Sequence, residues 1–463
     1  MNMTLRTDPA PALDDLRALL GERLSTGPSI LDEHGRDEAY TPPQRPDAVA
    51  FPESTAEVST IVKICARHGL PVIPYGTGTS LEGQIVPVSG GLSLDMSRMN
   101  KVIEVHDKDL DAVVQPGVTR TQLNDELHAT GLMFTVDPGA DASMGGMAST
   151  RASGTNTVRY GTIRENVLAL EVVLPDGEVI RTGSRARKSA SGYDLTHLFI
   201  GAEGTLGIIT ELTVRLHGQP ESILSATCAF GSVDDAVETV ILAIQCGLPM
   251  ARIELLDEVQ MQGMALLHPE LGLPELPHLF LEFHGTEGGV REQVASFQEI
   301  AEGFGVRDFA FAEKTEDRNR LWAARHHAYF AAKALKPGAS GVVTDCCVPI
   351  SALARCIGRT KQAIDMSGLV APLVGHVGDG NFHLVILVDP EDEAEMAQAR
   401  DLAATINRIA LSLGGTVTGE HGVGTGKQKY MEAEHGAAYG LMKRLKQAVD
   451  PADLMNPGKL VRG

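Results

Sequence analysis

The placement of glycine constrains this chain more than any other feature. Of its 49 glycines, twenty-one fall in five short stretches, 76–83, 131–161, 201–207, 375–380 and 414–426. An average usage near 7% would give roughly 32 glycines in all. Glycine collects where backbone takes positive φ or must approach another group closely. Solvent linkers would instead pair it with serine over long tracts, and the sequence has none. Several backbone loops are therefore expected to lie against a ligand. At 463 residues the chain needs two or more domains to carry them.

Charge and cysteine content remove several classes of function. Forty basic against sixty acidic residues leave a net charge of −20, which argues against nucleic acid or an anionic membrane surface as partner. No apolar run reaches the roughly 18 residues of a spanning helix. The opening MNMTLRTDPAPALDDL has no basic stretch before an apolar one, so the chain reads as cytoplasmic. Six cysteines without a C-x-x-C pair exclude a disulfide framework and an iron–sulfur ligand run. Electron chemistry would need a different cofactor.

Periodicity divides the chain. A helix at 12–24 and a Pro-rich connector make residues 1–45 an N-terminal segment. Ser54 and Glu57 have capping-box spacing before a helix with Val58, Ile61, Val62 and Cys65 on one face. Strands follow at 71–74, 91–95, 101–106 and 111–115, a helix at 119–130, and a hairpin turning on Asp176-Gly177. Residues 46–218 form one α+β domain on this pattern. Beyond it, strand 224–230, helix 233–247, strands 252–256 and 279–284, helix 290–303 and strand 307–313 give the β-α-β-β-α-β order of a ferredoxin-like sheet. Helix 317–335, strand 341–348, helix 351–366, strands 369–374 and 383–388 and helix 391–413 complete a second domain, 219–420. Residues 421–463 are a C-terminal segment containing a helical tail.

The stretch Pro74-Tyr-Gly-Thr-Gly-Thr-Ser-Leu-Glu-Gly83 follows a predicted strand, and its alternating glycines can turn successive N–H groups toward an anion. It lacks the lysine of a P-loop, and a tight strand-to-helix connection explains such glycines as readily. A second stretch, Asp137-Pro-Gly-Ala-Asp-Ala-Ser-Met-Gly-Gly146, and a third, Gly201-Ala-Glu-Gly-Thr-Leu-Gly-Ile208, follow in order. Together they resemble the FAD-binding domain of the vanillyl-alcohol oxidase / p-cresol methylhydroxylase superfamily. Gly375-His-Val-Gly-Asp-Gly-Asn-Phe-His383, Gly419-Glu-His-Gly-Val-Gly424 and Asn456-Pro-Gly-Lys-Leu460 extend the resemblance to the FAD-linked D-lactate dehydrogenase / D-2-hydroxyacid dehydrogenase branch. The resemblance covers about residues 40–460.

The fold it implies is a two-part FAD-binding domain with a ferredoxin-like α/β substrate cap and a C-terminal tail returning to the flavin. Pro74, Gly76, Thr77, Gly78, Thr79 and Ser80 of the first motif would contact FAD. Pro138, Gly139, Ser143, Gly145 and Gly146 of the second would do the same, with Gly204, Gly207 and Ile208 of the third and Asn456 of the tail. Relatives that attach flavin covalently often use a His in the first motif or a Cys in the second. Neither stands there here, so the FAD is expected to be non-covalent.

His376, His383 and Glu420 lie in Gly-rich segments, and two nitrogens with one carboxylate suit Zn²⁺ or Mn²⁺ with a position open to substrate. Two loop histidines bonded to backbone is the plainer alternative; the match to the family's metal site favours ligation. His421 is then expected as general base, since an imidazole titrates in the range this task needs, with a supporting role near the metal as its alternative. Arg325, in Leu321-Trp-Ala-Ala-Arg-His-His-Ala-Tyr329, resembles the family's anchor for the substrate carboxylate, where a guanidinium offers bidentate geometry.

The resemblance implies an FAD-dependent dehydrogenase that converts a D-2-hydroxy monocarboxylate, D-lactate or a longer apolar homologue, to the 2-oxo acid. Related enzymes for dicarboxylates such as D-2-hydroxyglutarate place a Lys two residues before the Asp that matches Asp345, where this chain has Val343. Electrons would leave through a separate acceptor: a cytochrome, a quinone or an electron-transfer protein. A homodimer is compatible with the resemblance. The rivals are a glycolate or D-2-hydroxyglutarate dehydrogenase, a zinc hydrolase using His376, His383 and Glu420, and a flavin-containing regulatory protein.

Overall fold

The computed structural model describes residues 8–38 and 41–461; residues 1–7, 39, 40, 462 and 463, part of the expected N- and C-terminal segments, lie outside it. The chain forms two compact units. The first takes residues up to Ser153, Gly161–Gln219 and everything from Glu420 onward, and the second takes Gly154–Tyr160 and Pro220–Gly419.

In the first unit, Ser54 caps helix α1 (Thr55–His68). Its Oγ accepts the Glu57 N–H at 3.3 Å while Glu57 accepts the Glu53 N–H at 2.8 Å, and Gly69 ends the helix at φ 65°. The expected apolar face is fully buried, and each such side chain contributes about 1.5–3 kcal/mol. It packs on a sheet holding β1 (Ala48–Ala50), β2 (Val72–Tyr75) and β3 (Leu92–Asp95), with β3 parallel to both others. A second, antiparallel sheet follows. It contains β4 (Val102–His106), β5 (Asp111–Val114), β6 (Val167–Val173), β7 (Val179–Gly183) and β8 (Ile208–Arg215), in the order β4–β5–β8–β6–β7. Helix α2 (Met144–Thr150) carries the second glycine motif. The tail returns to this unit: Met455 bridges Val72, and the Asn456 N–H donates to the Val72 carbonyl at 2.9 Å.

The second unit begins β9 (Ser222–Ala229), α3 (Val233–Gln245), β10 (Met250–Leu256), α4 (Glu258–Leu267), β11 (His278–Gly285), α5 (Glu287–Gly303) and β12 (Asp308–Ala312). The order β12–β9–β11–β10, antiparallel throughout, is the expected ferredoxin-like sheet. It continues through α6 (Thr315–His326), α7 (Ala328–Ala334), β13 (Ser340–Val343), α8 (Leu353–Ser367), β14 (Leu373–Gly375), β15 (Asn381–Val388) and α9 (Glu393–Ser412). Strand β14 joins β10 and pairs with β15, which carries β13 on its other side.

Period-2 alternation gives this sheet two unlike faces. Ala226, Cys228, Ile253, Leu255, Leu279, Leu281 and Phe283 enter a core shared with α3, α5, α8 and α9. Ser225, Arg252, Glu254, Glu282 and His284 occupy the alternate positions, where Trp322 and Arg325 of α6 meet them.

Two expected elements are broken. Helix 317–335 stops at His327, and the buried Gln260 amide donates to the Ala328 carbonyl at 2.9 Å, so a side chain stabilises the break. Strand 341–348 divides at Thr344-Asp345. There the Thr344 Oγ1 accepts the Leu384 N–H, and Asn381 holds Asp345, so side-chain bonds across to β15 replace the ladder.

Candidate functional site

Strand β2 runs directly into Gly76–Ser80. None of the N–H groups of Thr77 to Ser80 reaches a protein acceptor among the described residues, and Gly78 takes φ 75°. The other motifs close on this loop. A Cβ at Gly76 would sit 2.4 Å from Ser143 Oγ, and one at Gly204 2.2 Å from Pro74 Cγ. Ser143 caps α2 by accepting the Gly146 N–H at 3.3 Å, and a Cβ at Gly145 would lie 2.6 Å from Pro116 Cβ. Gly139 faces open space, Gly207 packs on Val172, and Ile208 opens β8 opposite Val173. A run of unpaired N–H groups beside a helix N-terminus, walled by glycines that admit no side chain, fits a dinucleotide pyrophosphate.

Asn456 sits at φ 40°. Its amide nitrogen donates to the carbonyls of Gln84 at 3.0 Å and Glu203 at 2.7 Å, leaving Oδ1 buried without a protein partner. Glu203, in the third motif, accepts the N–H groups of Val423 at 2.6 Å and Gly424 at 2.9 Å. Burial pushes its carboxyl up to about 7, against the pull of those N–H groups and of Gln84. Gln84 also donates to the His421 carbonyl at 2.7 Å, and Ser153 Oγ donates to Glu420 Oε2 at 2.7 Å. The segment bearing Glu420 and His421 is thus held by Ser153, Gln84 and Glu203, none of which the sequence singled out. Lys459 caps the Val86 carbonyl, and burial lowers its ammonium to about 8.

The polar sheet face of the second unit carries the other expected residues. Trp322 Nε1 donates to Ser225 Oγ at 3.0 Å, and the Arg252 guanidinium lies 4.6 Å over the Trp322 ring. These contacts fix α6. One turn further along, Arg325, 8% exposed, donates through Nη2 to Glu254, while its Nε is buried without a protein partner. Arg252 Nε lies 3.5 Å from Glu282. Glu282 accepts from His284 at 2.8 Å, and Tyr160 donates to the other nitrogen of His284 at 2.7 Å. The helical turn Thr157–Tyr160 thereby belongs to this unit, which no sequence motif signals.

His376 follows β14 and donates from Nδ1 to Glu254 at 2.7 Å; His383, on β15, donates from Nδ1 to the Thr344 carbonyl at 3.0 Å. Their rings stand 5.5 Å apart at 83°. Both rings thus turn Nδ1 toward a backing acceptor, the arrangement found in ligating histidines. Burial drives Glu254 up, but His376 and Arg325 together more than offset it, so the carboxyl lies below its usual range. Glu254 escaped the sequence reading, although Arg252 and Glu254 alternating with Ile253 and Leu255 signal a polar sheet face.

The fold and the cradle define a flavoprotein oxidoreductase. Residues 46–183 match the model of an FAD binding domain, and residues 219–460 match that of the C-terminal domain of FAD linked oxidases. "Probable D-lactate dehydrogenase, mitochondrial" of Danio rerio is 49% identical over 97% of this chain and 91% of its own. "D-lactate dehydrogenase [cytochrome], mitochondrial" of Arabidopsis thaliana is 45% identical over 98% and 80%. The substrate-bound structure of p-cresol methylhydroxylase aligns with a TM-score of 0.82 and 21% identity, covering 97% of this chain and 96% of that one. The chain belongs to the FAD-linked oxidase family, and it is an FAD-dependent oxidoreductase. Among the described residues, no helix is long and apolar enough to cross a membrane.

Proposed function

We propose that the protein oxidises a D-2-hydroxy monocarboxylate, D-lactate or a longer apolar homologue, to the 2-oxo acid. The observation that carries this reading is the pair of imidazoles with committed Nδ1 groups, on the sheet face where Arg325 holds a buried donor without a partner. Such a donor is costly when unpaired, and a substrate carboxylate would satisfy it. His376, His383 and Glu420 would hold Zn²⁺ or Mn²⁺, which would polarise the substrate hydroxyl. His421 would take the hydroxyl proton. When bound, non-covalent FAD accepts the Cα hydrogen as hydride. Contacts to FAD are assigned to the three glycine motifs and to Asn456, which is bonded to Glu203 of the third and keeps a buried Oδ1 without a protein partner.

Val343 supports a monocarboxylate, because an apolar side chain cannot pair a second buried carboxylate. The printed names of the Danio and Arabidopsis relatives support D-lactate, and the Arabidopsis name supports a cytochrome among separate acceptors. Six cysteines without a C-x-x-C pair favour a reducing compartment, read here as the cytoplasm. Turnover of a panel of D- and L-2-hydroxy acids with an artificial electron dye tests the reading. D-lactate or a longer apolar D-acid should rank first. Preference for D-2-hydroxyglutarate would overturn the monocarboxylate assignment, and colourless protein would overturn the flavin chemistry.

A further inference from the structure

We propose that Glu254 is a positioning residue that locks a metal-ligand histidine and the substrate-anchoring arginine to one another. The inference rests on the roles given above to His376 and Arg325. Glu254 is 1% exposed on β10, where a carboxylate persists only if both oxygens are well paired. A single arginine could satisfy it by a two-pronged pair. Instead its oxygens are divided, Oε1 accepting His376 Nδ1 at 2.7 Å and Oε2 accepting Arg325 Nη2. The partners come from distant elements: Arg325 stands 71 residues further along the chain on α6, and His376 122 residues further along, after β14.

A carboxylate is planar and rigid, so this division fixes the ring and the guanidinium in one frame. On the imidazole side it holds the proton on Nδ1, which makes Nε2 the nitrogen a metal would take. On the guanidinium side it occupies Nη2 and leaves Nε as a buried donor. Either group alone could be oriented by any acceptor. Only a shared one makes metal affinity and substrate anchoring depend on the same residue, and no other carboxylate among the described residues is bonded to both.

Glu254→Gln keeps the shape but removes the charge and turns one acceptor oxygen into a donor, so the frame shared by His376 and Arg325 is lost and both are misoriented. Affinity for Zn²⁺ is read by competition with a chromophoric chelator on the flavin-loaded protein, and KM is read for the acid ranked first in the panel. Zn²⁺ affinity should fall about 10- to 100-fold and KM should rise, with flavin content unchanged. Glu254→Asp keeps the charge but is one methylene shorter and cannot span both partners. Both properties should therefore fall together, by a smaller factor than in the amide, and this variant serves if Glu254→Gln does not fold. A folded variant in which either Zn²⁺ affinity or KM matches the unaltered protein overturns the coupling. If the unaltered protein itself takes up no Zn²⁺, the metal reading falls and this inference with it. Zn²⁺ uptake that is insensitive to Glu254 removes the inference alone.

Discussion

Replacing Glu203 with glutamine should change how stability depends on pH, and both the sign and the size follow from its surroundings. Burial raises this carboxyl from 4.5 to about 7. In that window the folded protein holds a proton that the unfolded chain has released, so folded stability falls as pH rises through it. The full difference is about 3 kcal/mol at roughly 1.4 kcal/mol per pH unit, and about 2.5 kcal/mol of it accrues between pH 5 and pH 8. Glutamine has no proton to lose. It gives up one of the oxygens that accept Val423 and Gly424, a cost of about 1–2 kcal/mol that is the same at every pH. The variant should therefore lose ground at pH 5 and recover it by pH 8. For a unit of this size the gap in Tm should move by roughly 5–10 °C in the variant's favour. Thermal melts of flavin-saturated protein at fixed flavin concentration, taken between pH 5 and pH 7, below the range in which the coupled Lys459 titrates, read most of it. A gap constant to within about 2 °C would show that Glu203 stays charged in the fold and that the argument from burial is wrong.

Arg325→Lys should fold yet lose at least about tenfold in turnover, equivalent to roughly 1.4 kcal/mol, because a point charge cannot hold Glu254 and a substrate carboxylate in one plane; steady-state kinetics with a smaller loss would remove Arg325 from the anchor role. Prolonged chelation should abolish turnover and leave the yellow colour, and Zn²⁺ or Mn²⁺ should restore activity; active enzyme without a stoichiometric ion by metal analysis would contradict this. Glu420→Gln should lower metal content while His421→Ala keeps it and loses turnover, so elemental analysis separates the two neighbours. Acid precipitation should give a colourless pellet and a yellow supernatant, and flavin retained in the pellet would mean a covalent link.

The local elements were legible where one physical signal dominated. The Ser54 cap, the apolar stripe of α1, the Asp176-Gly177 hairpin and the ferredoxin-like strands all depend on neighbours a few residues apart, and the structure contains each of them, although Glu57 reaches back to the Glu53 N–H and not to that of Ser54, and helix α4 is added between the second and third strands. The glycine motifs were legible too, since close backbone approach leaves its mark in composition. Signals failed where a distant side chain decided the outcome. Gln260 stabilises the break after His327, and Thr344 and Asp345 break a strand that β-propensity alone would continue.

The same division holds at the site. Sequence alone singled out the candidates for chemistry: imidazoles, carboxylate and guanidinium in glycine-rich or otherwise distinctive segments. It did not determine how they are held. Glu254 meets His376 and Arg325 only because β10, α6 and the turn after β14 come together on one sheet face. Glu203 and Gln84 reach the 420–424 segment across more than two hundred residues of chain. Buried polar groups must find partners wherever the fold brings them, and that pairing is a property of packing which no local pattern encodes.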